Sequence, residues 1–264
     1  MSAVATRRAE PAPGGADPKA RIEAVATRLF IRHGYNGTSY LDIARELGTT
    51  HSRIHYYFRT KDLLAEAVLR RVSESTLATM RGIWTDPRSS LSDKFVATRD
   101  WTWRQYLEHN PGGRGGRLWG LLARFTMDAD ALSLTSRRLL RASVERLDDC
   151  VATGVRGAVA QGELAADAPV DGIALQIASL MAATGQLTRR GNGFERLHDL
   201  MRWTYVGIVA AYGVDPRRAH AWPALPPEAA AIPSAQMALA LDAGDALDFP
   251  APADTESAED AEAH

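Results

Sequence analysis

One short run holds the chain's densest recognition chemistry. His51, Ser52, Arg53, His55 and Tyr56 fall on one side of a helix-like stretch, and Ile54, Tyr57 and Phe58 fall on the other. Every residue of the first set is cationic or hydrogen-bonding, and none is a large aliphatic. A helix that merely faces water would carry Glu and Lys there at least as often. The pattern suits non-covalent recognition of an anionic, groove-shaped partner. Bond-making chemistry has no comparable signature: there is no phosphate-cradling Gly loop, no HExxH, no nucleophile elbow and no paired-Cys metal site. The Arg114-Gly-Gly-Arg117 run follows no strand, so it is not a phosphate cradle. No catalytic residue, metal ligand or cofactor is assigned, and the chain is not read as an enzyme.

A second set of residue types suits a small molecule. Trp101, Trp103, Tyr106, Trp119, Phe125 and Met127, with Cys150 and Met181, form an aromatic and sulfur-rich group in the middle of the chain. Ligand sites are mostly apolar with a few convergent polar groups. Arg117 or Arg104 would meet an acidic group on such a ligand. The same aromatics at helical spacing also suit a plain core.

These side chains need helices to position them. Ile22, Val25, Ala26, Leu29 and Phe30 recur on one face of a helix from Lys19 to His33, which Gly34 stops. Thr38 or Ser39 caps the next helix, with Ile43, Ala44 and Leu47 on one face. Gly48 suits the positive φ of a helix-ending residue. Thr50 is placed to cap the recognition run Thr50 to Phe58. Helix, tight Gly-containing turn and helix make a helix-turn-helix, and the first helix supplies the surface on which this pair packs. Beyond it the spacing predicts helices over Lys61 to about Met80, Leu91 to His109, Arg117 to Met127, Ser133 to Gln161, Asp171 to Arg190 and Phe194 to Tyr212. No alternating strand pattern occurs, so the fold class is all-α. It comprises a three-helix homeodomain-like head and a helical-bundle body. The divisions read as a disordered arm over 1–17, the head over 18–64, the body over 65–213 and an acidic, mostly disordered tail over 214–264. A weak helical patch spans Ser234 to Leu241.

The segment TSYLDIARELGTTHSRIHYYFRTKDLL, preceded by RLFIRHGYNG, resembles the DNA-binding domain of the TetR family of bacterial transcriptional regulators. Phe30, Gly34, Thr38, Ile43, Ala44, Gly48, Thr50, Phe58 and Lys61 fall at that family's spacing. The resemblance implies that Thr38 and Lys61 contact phosphates. It implies that Thr50, His51 and Arg53 enter the major groove of double-stranded DNA. Tyr56 and Tyr57 would contact the DNA backbone or pack under the recognition helix. Thr49 and His55 depart from the usual Val and Tyr at their positions and belong to the same surface. The resemblance further implies a homodimer, most often a repressor, that reads a palindromic operator and answers a mostly hydrophobic effector. Its last two helices would pair with their two-fold mates. Gly172, Ala174, Ala178, Ser179, Ala182, Ala183 and Gly185 make the first of these small-faced. Leu197, Leu200, Met201, Thr204, Tyr205 and Ile208 form a broad face on the second.

Charge supports this division of labour. Residues 18–72 hold ten Lys/Arg against five Asp/Glu, a net of +5, while residues 214–264 hold two against ten, a net of −8, in a chain of net −1. The basic head suits a phosphate-bearing partner. The segment 1–17 reads as an inert tail or as an arm whose Arg7 and Arg8 reach the DNA minor groove. The acidic tail would solvate the chain or compete with DNA for the head. A single cysteine excludes an internal disulfide framework and fits a cytoplasmic setting. No run approaches the ~20 apolar residues of a membrane span. A helical carrier with a basic protein-binding head is the alternative reading.

Overall fold

The computed structural model describes residues 17–215, 217 and 222–226. Among them the chain forms nine α-helices and no strand, in agreement with the expected all-α architecture. The Arg7/Arg8 arm and the patch from Ser234 to Leu241 lie outside the described residues.

The head is built from α1 (Pro18–His33), α2 (Tyr40–Leu47) and α3 (His51–Tyr57). Local chemistry sets each boundary. The Asp17 carboxylate accepts from Lys19 N at 3.0 Å and opens α1. Ser39 and Asp42 form a reciprocal capping box at α2. Gly48 ends α2 in the left-handed region, φ 62°, and the Thr50 hydroxyl accepts from Arg53 N at 3.3 Å to start α3. Both were expected from residue type. Ile22, Phe30, Ile43, Ile54 and Phe58 fill the space between the three helices.

The body begins with α4 (Lys61–Trp84), whose 24 residues span about 36 Å. Thr60 caps it, accepting from Leu63 N at 3.2 Å. The first half of α4, through Leu64, Val68 and Val72, completes the head's core, and the second half enters the body through Met80 and Trp84. The remaining helices are α5 (Leu91–His109), α6 (Leu121–Met127), α7 (Leu134–Ala160), α8 (Val170–Gly191) and α9 (Glu195–Tyr212).

Two expectations for the body change. The helix expected from Arg117 starts only at Leu121, because bonds to residues outside this stretch hold 117–120 out of a helix. Arg117 N donates to the Asn110 side chain at 2.9 Å, and the Trp119 indole donates to Thr188 Oγ1 at 3.0 Å. The second change concerns α9. Leu197, Met201, Thr204, Tyr205 and Ile208 are buried in the chain's own core, so this face does not await a partner. Of the expected face only Leu200 points outward, in a stripe with Trp203 and Gly207.

Residues 222–226 form no helix, yet they return to the body. The buried Arg99 guanidinium donates to Pro223 O at 2.5 Å, and the Trp103 indole donates to Pro226 O at 3.0 Å. Trp222 stacks on Tyr205 with centroids 5.9 Å apart.

Candidate functional site

The head presents α3 on its surface by fixing what lies beneath it. Ile54 is fully buried, and the Tyr40 hydroxyl donates to Phe58 O at 2.7 Å, anchoring the end of α3 to α2. Burial, with the nearby Asp62 carboxylate adding to it, pushes the Tyr40 phenol up to about 12, so it stays a donor. Tyr35 binds Asp62 through its hydroxyl and is also raised, mainly by burial. The outward positions then follow the helical period. His51, Ser52, His55 and Tyr56 are exposed, Tyr56 at 79 %, and Thr50 is exposed beside them. Thr49, Arg53 and Tyr57 are half-buried. His51 and His55 stack one turn apart, and Tyr57 buttresses Tyr56 edge-on at 5.2 Å.

The two expected phosphate contacts are engaged inside the fold. Thr38 is 1 % exposed, and its hydroxyl donates to Gly34 O at 2.9 Å. The Thr38 side chain stabilises the turn between α1 and α2. Lys61 donates to Tyr35 O at 3.1 Å and Thr38 O at 3.3 Å and lies 4.2 Å over the Tyr35 ring. An ammonium has three donors, so one remains for an anion.

In the body an apolar cavity of about 210 Å³ lies between α4, α5, α6, α7 and α8. Of the nine residues expected to bind a ligand, Trp101, Trp119, Met127 and Met181 line it. The other five lie elsewhere. Trp103 and Tyr106 pack against Phe194 in a separate aromatic cluster. Phe125 faces the head, edge-on to Phe30 at 5.4 Å. Cys150 is buried in the body core, and Arg117 lines a different cavity. The expected acid-binding arginine is therefore missing from the apolar cavity. Among the described lining residues its one ionisable group is Asp148, on the same side of α7 as Val144, Leu147 and Val151. Burial, with Asp149 and Glu145 nearby, raises the Asp148 carboxyl above the usual carboxylate range. The spacing that predicts the helix from Ser133 to Gln161 does not distinguish a cavity wall from a packed core.

Helix α6 joins the two regions. Leu121, Leu122, Thr126 and Met127 line the apolar cavity. On its other side Phe125 packs on α1, and Arg124 reaches His33 O at 3.3 Å. Asp128, just past its end, accepts from Tyr35 N at 2.8 Å. Gly34, at φ 77°, admits this contact: a Cβ there would lie 2.0 Å from the Arg124 guanidinium.

Residues 22–68 match the family of bacterial regulatory proteins described as the tetR family. No curated protein sequence matches the chain. Solved structures share its fold. A TetR-family regulator from Agrobacterium tumefaciens is 19 % identical, with 74 % of this chain and 98 % of that one covered and a TM-score of 0.63. A TetR regulator from Chloroflexus aurantiacus is 22 % identical, with 75 % and 96 % covered and a TM-score of 0.61. A transcriptional regulator from Saccharomonospora viridis, solved in complex with choline, is 23 % identical, with 69 % and 92 % covered and a TM-score of 0.56. Residues 22–68 thus match the head of the TetR family, and head and body together have the fold of these solved regulators.

Proposed function

We propose that the protein is a homodimeric, ligand-responsive repressor of a palindromic operator. The observation that carries this reading is α6, which lines the apolar cavity with one side and grips the head with the other. A molecule in the cavity that favours one placement of α6 shifts the head's placement with it. It can do so only by its difference in affinity for the two states.

The recognition surface is α3, with Thr50, His51, Arg53, His55 and Tyr56 toward the groove, Thr49 and Tyr57 supporting, and Lys61 at a phosphate. Reading a palindrome requires two such helices about 34–36 Å apart. The unpartnered stripe of α8 and α9 supports a dimer: Leu175 is 67 % and Trp203 61 % exposed, beside the small residues Ser179, Ala182 and Gly207. The ligand is small and largely apolar, because the cavity is small and lined by Trp101, Trp119, Met127 and Met181. With Asp148 as the one lining charge, a cationic or donor group fits it better than an acidic one. Aromatic rings beside a carboxylate are suited to a quaternary ammonium, and the regulator from Saccharomonospora viridis was solved with choline.

Gel shifts with duplexes flanking its own coding region test this reading. A dimer should shift one of them. Arg53→Ala should weaken that complex by roughly 1–3 kcal/mol while leaving random duplex nearly unchanged. A monomer in solution that shifts no duplex at low salt would overturn the reading.

A further inference from the structure

A second cavity, of about 780 Å³, opens between head and body. Its wall has the opposite chemistry. Six arginines converge on it: Arg28 and Arg32 of α1, Arg71 of α4, Arg117 of the 114–120 loop, Arg124 of α6 and Arg189 at the end of α8. Glu108 is the one carboxylate among the described lining residues. Three arginines are restrained by acids beside the cavity, Arg28 by Glu46 at 3.4 Å, Arg71 by Glu23 at 3.0 Å and Arg124 by Asp128 at 3.1 Å. The guanidinium groups of Arg32, Arg117 and Arg189 have no ion pair or hydrogen bond among the described residues.

The backbone that presents these free groups is fixed. Asn110 is 2 % exposed, and its side chain both accepts from Arg117 N at 2.9 Å and donates to Arg117 O at 3.1 Å. The Tyr106 hydroxyl donates to Gly115 O at 2.7 Å. Gly116 lies so close to α8 that a Cβ would stand 2.9 Å from Arg189 O, which keeps the Arg117 loop against the Arg189 turn. His109 faces the same space. Burial holds its imidazole below the ordinary range, and Arg32 and Arg28 push it further down. Ile31, Val72 and Leu118 give the wall an apolar portion.

We propose that this cavity binds a small phosphate ester carrying two or more negative charges on a nucleotide-sized body. Like charges gathered without an anion repel one another, and an anion reverses that cost. Guanidinium groups arriving from several directions suit a tetrahedral phosphate, which offers acceptor oxygens on more than one side. The volume falls within the range of about 300–1,000 Å³ common for organic ligands. The apolar strip leaves room for a base or similar group. The site bridges α1 of the head and α8 of the body, so an occupant that prefers one head placement alters DNA affinity, and DNA alters its affinity by the same factor.

Calorimetric titration of the full chain in about 0.15 M salt, where loose surface attraction is screened, tests the proposal with ATP, ADP, pyrophosphate and adenosine as probes. ATP and ADP should bind, and adenosine should not. Weaker binding of pyrophosphate than of ADP would assign part of the affinity to the apolar strip. Equal binding would restrict the ligand to its phosphates and overturn the nucleotide-sized body. The double change Arg117→Gln, Arg189→Gln alters two exposed side chains. It should weaken ATP at least about tenfold, as losing charged hydrogen bonds does, with an unchanged circular dichroism spectrum. A separate signature is a rise in the His109 pKa on adding ATP, read by NMR. The proposal fails if no phosphate probe binds by about 1 mM, which corresponds to only about 4 kcal/mol. It also fails if the double variant binds ATP as the wild type does, or if adenosine matches ATP.

Discussion

The two cavities share Val72 of α4 and a wall contributed by α6, yet one is lined by six arginines and the other by none. Their difference follows from where they lie. The apolar cavity lies among five helices of the body, against walls that offer an unpaired cation few polar groups to replace lost hydration. The arginine cavity opens at the seam between head and body, where solvent keeps guanidinium groups tolerable until an anion arrives. Adjacent positions on α6 serve both: Ala123 faces the apolar side, Arg124 the charged one, and Phe125 the head. A single short helix therefore separates two ligand chemistries and touches the part that reads DNA.

The most damaging way to test that arrangement is to loosen α6 from the head. Phe125 is fully buried against Phe30. Phe125→Ala should cost about 3–5 kcal/mol of stability, as large-to-small changes in a packed core do, measured by urea unfolding. The milder Phe125→Leu should keep the fold while weakening the link between cavity and head. DNA affinity would then respond less to any ligand of the apolar cavity. An unaltered response in Phe125→Leu would move the link from α6 to another element.

A smaller effect distinguishes the cavities by sign of charge. Asp148→Asn should weaken a quaternary ammonium probe such as choline by on the order of 1 kcal/mol, the scale of a partly exposed charge pair. It should leave an uncharged apolar probe unaffected. The wild type should lose choline as pH falls, because protonation removes the carboxylate. With its carboxyl raised by burial, Asp148 should do this at a higher pH than an ordinary aspartate. Choline affinity that is flat with pH and equal in the variant would remove Asp148 from the ligand's reach.

Local signals were legible in the sequence and long-range ones were not. Gly48 and Thr50 act within their own turn, so residue type and spacing revealed them. The α5 limits, Leu91 and His109, agreed for the same reason. The Thr38 hydroxyl turns inward to Gly34 O, a choice that spacing does not encode. Residues 117–120 failed because Asn110 and Thr188 hold them from outside. For the aromatics, the helical period carried more than was drawn from it. Trp101 and Trp103 are two positions apart, about 200° around a helix at 3.6 residues per turn, so they cannot both face one cavity. The arginine cavity was beyond reach: its six side chains come from five separate stretches, and composition showed only a basic head.

The finest test uses His109 as a reporter of the charged cavity. Arg28 and Arg32 face it from α1, Glu108 adjoins it on α5, and the remaining arginines surround the same space. Its imidazole is depressed in the folded chain, so between the folded value and the ordinary value near 6.5 the unfolded chain binds more protons. Its contribution to stability is therefore complete above about pH 6.5 and is lost as pH falls through the folded value. The slope from one such group stays below about 1.4 kcal/mol per pH unit. His198 is also depressed, by burial and then by Arg99, but its contribution is common to wild type and variant. Subtracting the His109→Gln unfolding curve from the wild type between pH 5 and 7 should thus isolate the His109 part. Adding ATP should flatten that difference, because a bound polyanion offsets the two arginines and lifts the imidazole. A slope that persists unchanged with ATP bound would mean the anion lies away from His109, and the two cavities would no longer divide by charge.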